Sequence, residues 1–79
     1  MKRIALYTSF KKDDIETRRK LESIAFGLNG NLNGFSLDNE KNVIYFFEFS
    51  DENKLEKFKE VETVKQYKTL KMKKNKYFL

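Results

Sequence analysis

The sequence predicts an α+β fold, four strands and two helices in the order βαββαβ, and three observations carry that prediction. The first is the run Asn42–Phe49, Asn-Val-Ile-Tyr-Phe-Phe-Glu-Phe. Its β-branched and aromatic residues suit a pleated, buried strand. The second is a pair of segments with apolar residues at helical spacing, each opening on residues that can cap a helix: Asp13-Asp14 and Ser50-Asp51. The third is punctuation. Asn29-Gly30-Asn31 stops one helix, and the polar Asp38–Asn42 stretch joins two strands as a hairpin.

In chain order, Lys2–Phe10 reads as the first strand, with Ile4, Leu6 and Thr8 on one face and Ala5, Tyr7 and Ser9 on the other. Asp13 then caps a helix running to about Leu28, and Glu16 completes a capping box. Leu21, Ile24, Ala25 and Leu28 mark its sheet-facing side, with Arg18, Arg19, Lys20 and Glu22 solvated. Leu32–Leu37 is the second strand, Phe35 and Leu37 inward, with Gly34 at a bulge or close approach. In the third strand Val43, Tyr45, Phe47 and Phe49 face the helices, and Ile44, Phe46 and Glu48 face away. A second helix from Ser50 or Asp51 to about Val64 buries Leu55, Phe58 and Val61. The last strand covers roughly Lys65–Lys73, with Leu70 and Met72 inward. A short basic tail begins near position 73 and ends on the apolar Tyr77-Phe78-Leu79.

Two right-handed βαβ crossovers arrange these elements as one four-stranded antiparallel sheet with both helices on one face. That is the ferredoxin-like fold, a single domain over 1–79. Its first and third strands are central, so Tyr7 and Phe46 share the uncovered face, with Ile44 and Tyr67 nearby.

Composition narrows the function. At 79 residues the core is small, and eight Phe and four Tyr supply its bulk. With no Cys and no His, disulfides, thiolate or histidine metal sites and nucleophile–histidine catalysis are excluded. The paired acids stand at helix starts, where capping explains them better than acid–base work. The expectation is a protein that is not an enzyme and needs no metal or cofactor. The longest apolar run is far shorter than a membrane span and no leader is evident, so the chain reads as cytoplasmic. Its Lys-, Asn-, Phe- and Ile-rich usage suits an AT-rich genome and a phage-encoded product.

The net charge of +5 is unevenly spread. Residues 1–62 hold 11 Lys or Arg and 12 Asp or Glu, whereas residues 63–79 hold six Lys and no acid. Lys65, Lys68, Lys71, Lys73, Lys74 and Lys76 thus form a basic end suited to an anionic partner.

Two resemblances bear on function. Asn42–Phe49 resembles in part the third-strand signature of RNA-recognition motifs, with Phe46 and Phe49 at aromatic positions but Asn42, Val43, Ile44 and Tyr45 replacing other signature residues. Under that likeness Tyr7 and Phe46 stack bases while the lysines neutralise phosphates. Arg18–Ser36 resembles the helix-plus-strand segment of the ribonuclease E inhibitor family (regulator of ribonuclease activity B). Ile24-Ala25 matches its helical pair, Gly30 its stop, and Leu32-Asn33-Gly34-Phe35 stands at its aromatic-Asp-Gly-Trp run, with only Gly34 identical. This likeness implies a ferredoxin-like, non-enzymatic protein that binds a ribonuclease. CRISPR-associated nucleases share the fold, but Thr8-Ser9 stands where their metal-binding acid belongs.

The expected function is therefore a small regulator or inhibitor docking on a protein partner. Its surfaces are the open face (Tyr7, Ile44, Phe46, Tyr67) and the basic end. Direct RNA or single-stranded nucleic-acid binding is the alternative, and the open face also suits contact between two copies.

Overall fold

A computed structural model describes residues 2–71 of the chain. The elements are β1 (Lys2–Tyr7), α1 (Ile15–Phe26), β2 (Gly30–Leu37), β3 (Val43–Phe49), α2 (Glu52–Glu60), α3 (Glu62–Lys65) and β4 (Lys68–Lys71). The strands form one antiparallel sheet in the order β2-β3-β1-β4, so β1 and β3 are central as expected.

The alternation in β3 sets the two sides of the sheet. Val43, Tyr45, Phe47 and Phe49 are buried, while Ile44, Phe46 and Glu48 are half-buried. Ile4 lies opposite Phe47 and Leu6 opposite Tyr45, and opposed residues of antiparallel strands share a face. These six join Leu21 and Ala25 of α1, Leu55 and Phe58 of α2 and Val64 of α3 in one apolar cluster. Both long helices therefore cover the same face. The Phe58 ring sits 4.9 Å from the rings of both Phe47 and Phe49.

Helix α1 starts one residue later than the sequence suggests. Asp14 caps it, accepting from Glu16 N–H at 3.2 Å and from Thr17 Oγ1 at 2.8 Å. Asp13 is instead drawn to the core, where the Tyr45 hydroxyl donates to its Oδ1 at 2.5 Å. Arg18, expected on the solvated side, is half-buried with Nε 3.1 Å from Asp13 Oδ2. Leu21, Ile24, Ala25 and Leu28 face the sheet as expected.

The second helix is interrupted. Asp51 caps α2 through Lys54 N–H at 2.9 Å. Val61 then takes an extended conformation (φ −66°, ψ 132°), and α3 is a separate turn that buries Val64.

Two expectations about inward residues fail. Phe35 and Leu37 lie opposite Tyr45 and Val43 on the helix side, yet are 45% and 46% exposed. They sit on an edge strand, with a neighbouring strand on one side only. Leu70 lies opposite Ala5 and therefore faces the side without helices, while Met72 falls outside the described residues. The bulge forecast at Gly34 is present: the register shifts between Leu32 and Gly34, and Gly34 has φ 143°.

Candidate functional site

The strand register arranges the face away from the helices in rows across the sheet. In one row Ser36, Ile44, Tyr7 and Lys68 stand side by side. In the next are Gly34, Phe46, Ala5 and Leu70. In a third, Asn31, Glu48 and Arg3 are neighbours. The middle row is wholly apolar. It sets the large Phe46 ring between the two smallest side chains available, Gly34 and Ala5. A Cβ built on Gly34 would meet no heavy atom within 4 Å, so the surface dips beside Phe46.

Polar groups close both ends of this strip. At one end Asn42 Nδ2 donates to the Tyr7 hydroxyl at 2.7 Å. Asp38 Oδ1 accepts from the N–H groups of Glu40 and Asn42 at 2.8 and 2.9 Å, fixing the β2–β3 hairpin. Desolvation raises the Asp38 pKa, but the N–H groups of Asn42 and Glu40 outweigh it and hold the carboxyl below its usual value. Tyr7 is pushed up, first by desolvation and then by the Asp38 charge. At the other end Arg3 Nε donates to Glu48 Oε2 at 2.8 Å, and that hydrogen bond lowers the Glu48 pKa.

The predicted site residues separate into groups. Tyr7, Ile44 and Phe46 come together on this face, and Lys68 stands beside Tyr7. Tyr67 does not join them. Because Lys68 opposes Tyr7, the residue before it turns to the helix side, where Tyr67 packs edge-on against Phe10 at 6.1 Å. Lys65 is the last residue of α3 and exposed, away from the strip. Lys71 pairs through its backbone with Ile4. Lys73, Lys74, Lys76 and the Tyr77-Phe78-Leu79 end lie outside the described residues. Sequence reasoning placed Ala5 on the face of Tyr7 but took Leu70 as inward, and so missed it as a member of this face. Alternation with Tyr7 was enough for Ala5, but Leu70 needed the register.

A second cluster lies under the helix side. Tyr45 is fully buried, and its hydroxyl reaches Asp13 while its ring meets Phe35 at 6.2 Å. Burial, then the hydrogen bond to Asp13, raises the Tyr45 pKa well above its usual value. Arg18 Nε is buried beside them, ion-paired with Asp13 Oδ2 at 3.1 Å but without hydrogen-bond geometry to any described residue. This cluster ties the start of α1 to β3. Among the described residues no group of three or more acids could hold a metal ion, and no helix is long and apolar enough to cross a membrane.

The raised Tyr45 pKa sets a pH dependence. The unfolded phenol titrates at about 10. Its folded value lies above that, so its contribution is complete below about pH 10 and is lost as the pH rises further. Tyr45→Phe is expected to cost about 1.5–3 kcal/mol near neutrality, as for a hydrogen bond to a charged group. It should also give a shallower alkaline decline than the native chain. Urea midpoints measured from pH 7 to 12 check both. An equally steep decline in the variant would place the alkaline sensitivity elsewhere.

Compared with protein-family models, with curated proteins and with solved structures, the chain has no significant match.

Proposed function

We propose that this chain is a small non-enzymatic binding protein that docks on a protein partner through the helix-free face of a ferredoxin-like sheet. The strand order β4-β1-β3-β2, with a helix in each crossover, supports that fold reading. The observation that carries the function is the apolar row Gly34, Phe46, Ala5 and Leu70, which crosses all four strands and is flanked by Ile44 and Tyr7. Such a strip, closed by polar groups at either end, has the layout of a protein interface with an apolar centre and a polar rim. A regulator or inhibitor of another protein fits it, and the likeness of Arg18–Ser36 to ribonuclease inhibitors points to the same class.

The charge around Tyr7 favours protein over nucleic acid. A base stacked on Tyr7 brings its phosphates towards Asp38 and the neighbouring Glu40, where among the described residues the nearby cations include Lys68 opposite on β4 and Lys11, whose Nζ donates to Glu40 C=O at 3.3 Å. The test pairs two measurements. Affinity capture from the native host with the wild type and Phe46→Ala should yield a partner retained by the first and lost by the second, a residue at an apolar interface centre being worth about 2 kcal/mol or more. Anisotropy with labelled single-stranded RNA and DNA should show only binding that physiological salt removes. Saturable binding that survives such salt and disappears in Tyr7→Ala/Phe46→Ala would replace this reading with nucleic-acid recognition.

A further inference from the structure

We infer that β2 is a self-pairing edge: two copies of this chain join antiparallel through Phe35–Leu37, with Ser36 on the two-fold axis, into one continuous eight-stranded sheet. The inference concerns the edge of the sheet and stands apart from the open face.

Composition singles out this edge. Gly30–Leu37 reads Gly-Asn-Leu-Asn-Gly-Phe-Ser-Leu, without a charge or a proline, in a chain that is 37% charged. Outer strands are ordinarily blunted by lysine, proline or brevity. The opposite edge follows that rule, since β4 spans Lys68–Lys71 with a lysine at each end. In β2 the one blunting device is the bulge at Asn33, and Phe35–Leu37 lies beyond it.

The hydrogen-bond parity of β2 can be read from its ends. Asp38 N–H donates to Asn42 C=O at 2.9 Å, so position 38 faces β3. Hydrogen-bonded and non-hydrogen-bonded pairs alternate, so Ser36 also faces β3. The other side of β3 agrees: Thr8 N–H donates to Val43 C=O at 3.1 Å, turning Val43 to β1 and Ile44 to Ser36. The N–H and C=O groups of Phe35 and Leu37 therefore point outward. These residues also carry the two large apolar side chains of β2 left 45% and 46% exposed.

A two-fold axis at Ser36 uses all of these groups at once. Phe35 of one copy then opposes Leu37 of the other, twice, as hydrogen-bonded pairs that exchange four backbone hydrogen bonds. Each Phe35 ring meets a Leu37 side chain on the helix side, a favourable cross-strand pairing. Charge does not oppose a second copy. The neutral edges meet without repulsion, and the two β4 strands end about seven strand spacings apart. At ~4.8 Å per spacing that is roughly 34 Å, several times the ~8 Å Debye length at physiological salt.

The strand contact is small for a stable interface, so a reversible monomer–dimer equilibrium is expected. Sedimentation over a concentration series should reach twice the 9.5 kDa chain mass. Leu37→Lys should weaken association by about tenfold or more, with circular dichroism unchanged because Leu37 is exposed. The double variant Phe35→Glu/Leu37→Lys should restore it, because the new charges oppose each other only in this register. The chain has no cysteine, so Ser36→Cys offers a single thiol pair at the axis, whereas Asn33→Cys places its thiols far apart. Oxidation should link the first variant and not the second. A monomer throughout, a dimer untouched by Leu37→Lys, a dimer dissociated by Phe46→Ala, or equal linking of the two cysteine variants would each overturn the inference.

Discussion

Phe58→Ala is expected to lower the unfolding free energy by about 3–5 kcal/mol, the usual range for removing a buried phenylalanine. The geometry places it at the upper part of that range. Phe58 is fully buried, and its ring stands 4.9 Å from both Phe47 and Phe49, tilted at 47° and 46°. It fills the space above two successive inward residues of β3. Truncation would strip both rings of their neighbour at once and leave a cavity bounded by rigid strand backbone. The sheet cannot collapse to fill such a gap without moving a central strand. A domain of this size has a total stability of about 5–15 kcal/mol, so the loss takes up much of it. Urea denaturation should show a large fall in midpoint, or an unfolded chain at the outset. Phe26→Ala supplies the contrast. Phe26 is 78% exposed, and its removal should change stability by less than about 0.5 kcal/mol. Similar losses in the two variants would mean that the core is not organised around Phe58.

The parts of this architecture that were legible in the sequence share one property: their periodicity leaves a single solution. In β3 the alternation is unbroken from Val43 to Phe49, and the burial follows it residue by residue. Leu21, Ala25, Leu55 and Phe58 recur at helical spacing, and all four are buried. Where two assignments fit the same letters, tertiary partners decided between them. Asp13 and Asp14 are both able to cap α1, and the Tyr45 hydroxyl claims the first, leaving the second to the helix. Lys-Gln-Tyr-Lys-Thr-Leu-Lys has no clear period of two, so nothing local says whether Tyr67 or Lys68 faces the helices. A slip of one residue exchanges the faces, and that slip put Tyr67 on the wrong side and hid Leu70. The exposure of Phe35 and Leu37 was out of reach for another reason. Their side is set by alternation, but whether a helix lies above an edge strand depends on where α1 crosses the sheet. The same limit applied to the candidate site. Tyr7, Ile44 and Phe46 followed from strand alternation, whereas the row that joins Phe46 to Leu70 exists only through pairing across β1.

Gly30→Ala is expected to destabilise the fold by about 1–3 kcal/mol through overpacking, a larger effect than its place at a strand start suggests. In the sequence this glycine reads as the stop of α1, but Asn29 takes the left-handed conformation (φ 61°) and Gly30 opens β2. Its role is space. Gly30 opposes Phe49, and an added Cβ would lie 2.4 Å from two atoms of that ring and 2.8 Å from the Glu48 carbonyl oxygen. Neither neighbour yields cheaply. Glu48 O belongs to the central strand, and the fully buried Phe49 ring is held 4.9 Å from Phe58. The strain should therefore pass through Phe49 into the same aromatic cluster. A double-mutant cycle isolates that path. Phe49→Leu, costly alone, should suffer less than additively when combined with Gly30→Ala, because the smaller side chain vacates the space the methyl needs. Gly34→Ala provides the opposite case. Nothing lies within 4 Å of its Cβ position, and its cost comes from holding alanine at φ 143°. No change at Phe49 should relieve it. Additive behaviour of Gly30→Ala with Phe49→Leu would remove the close approach as the reason for glycine at position 30.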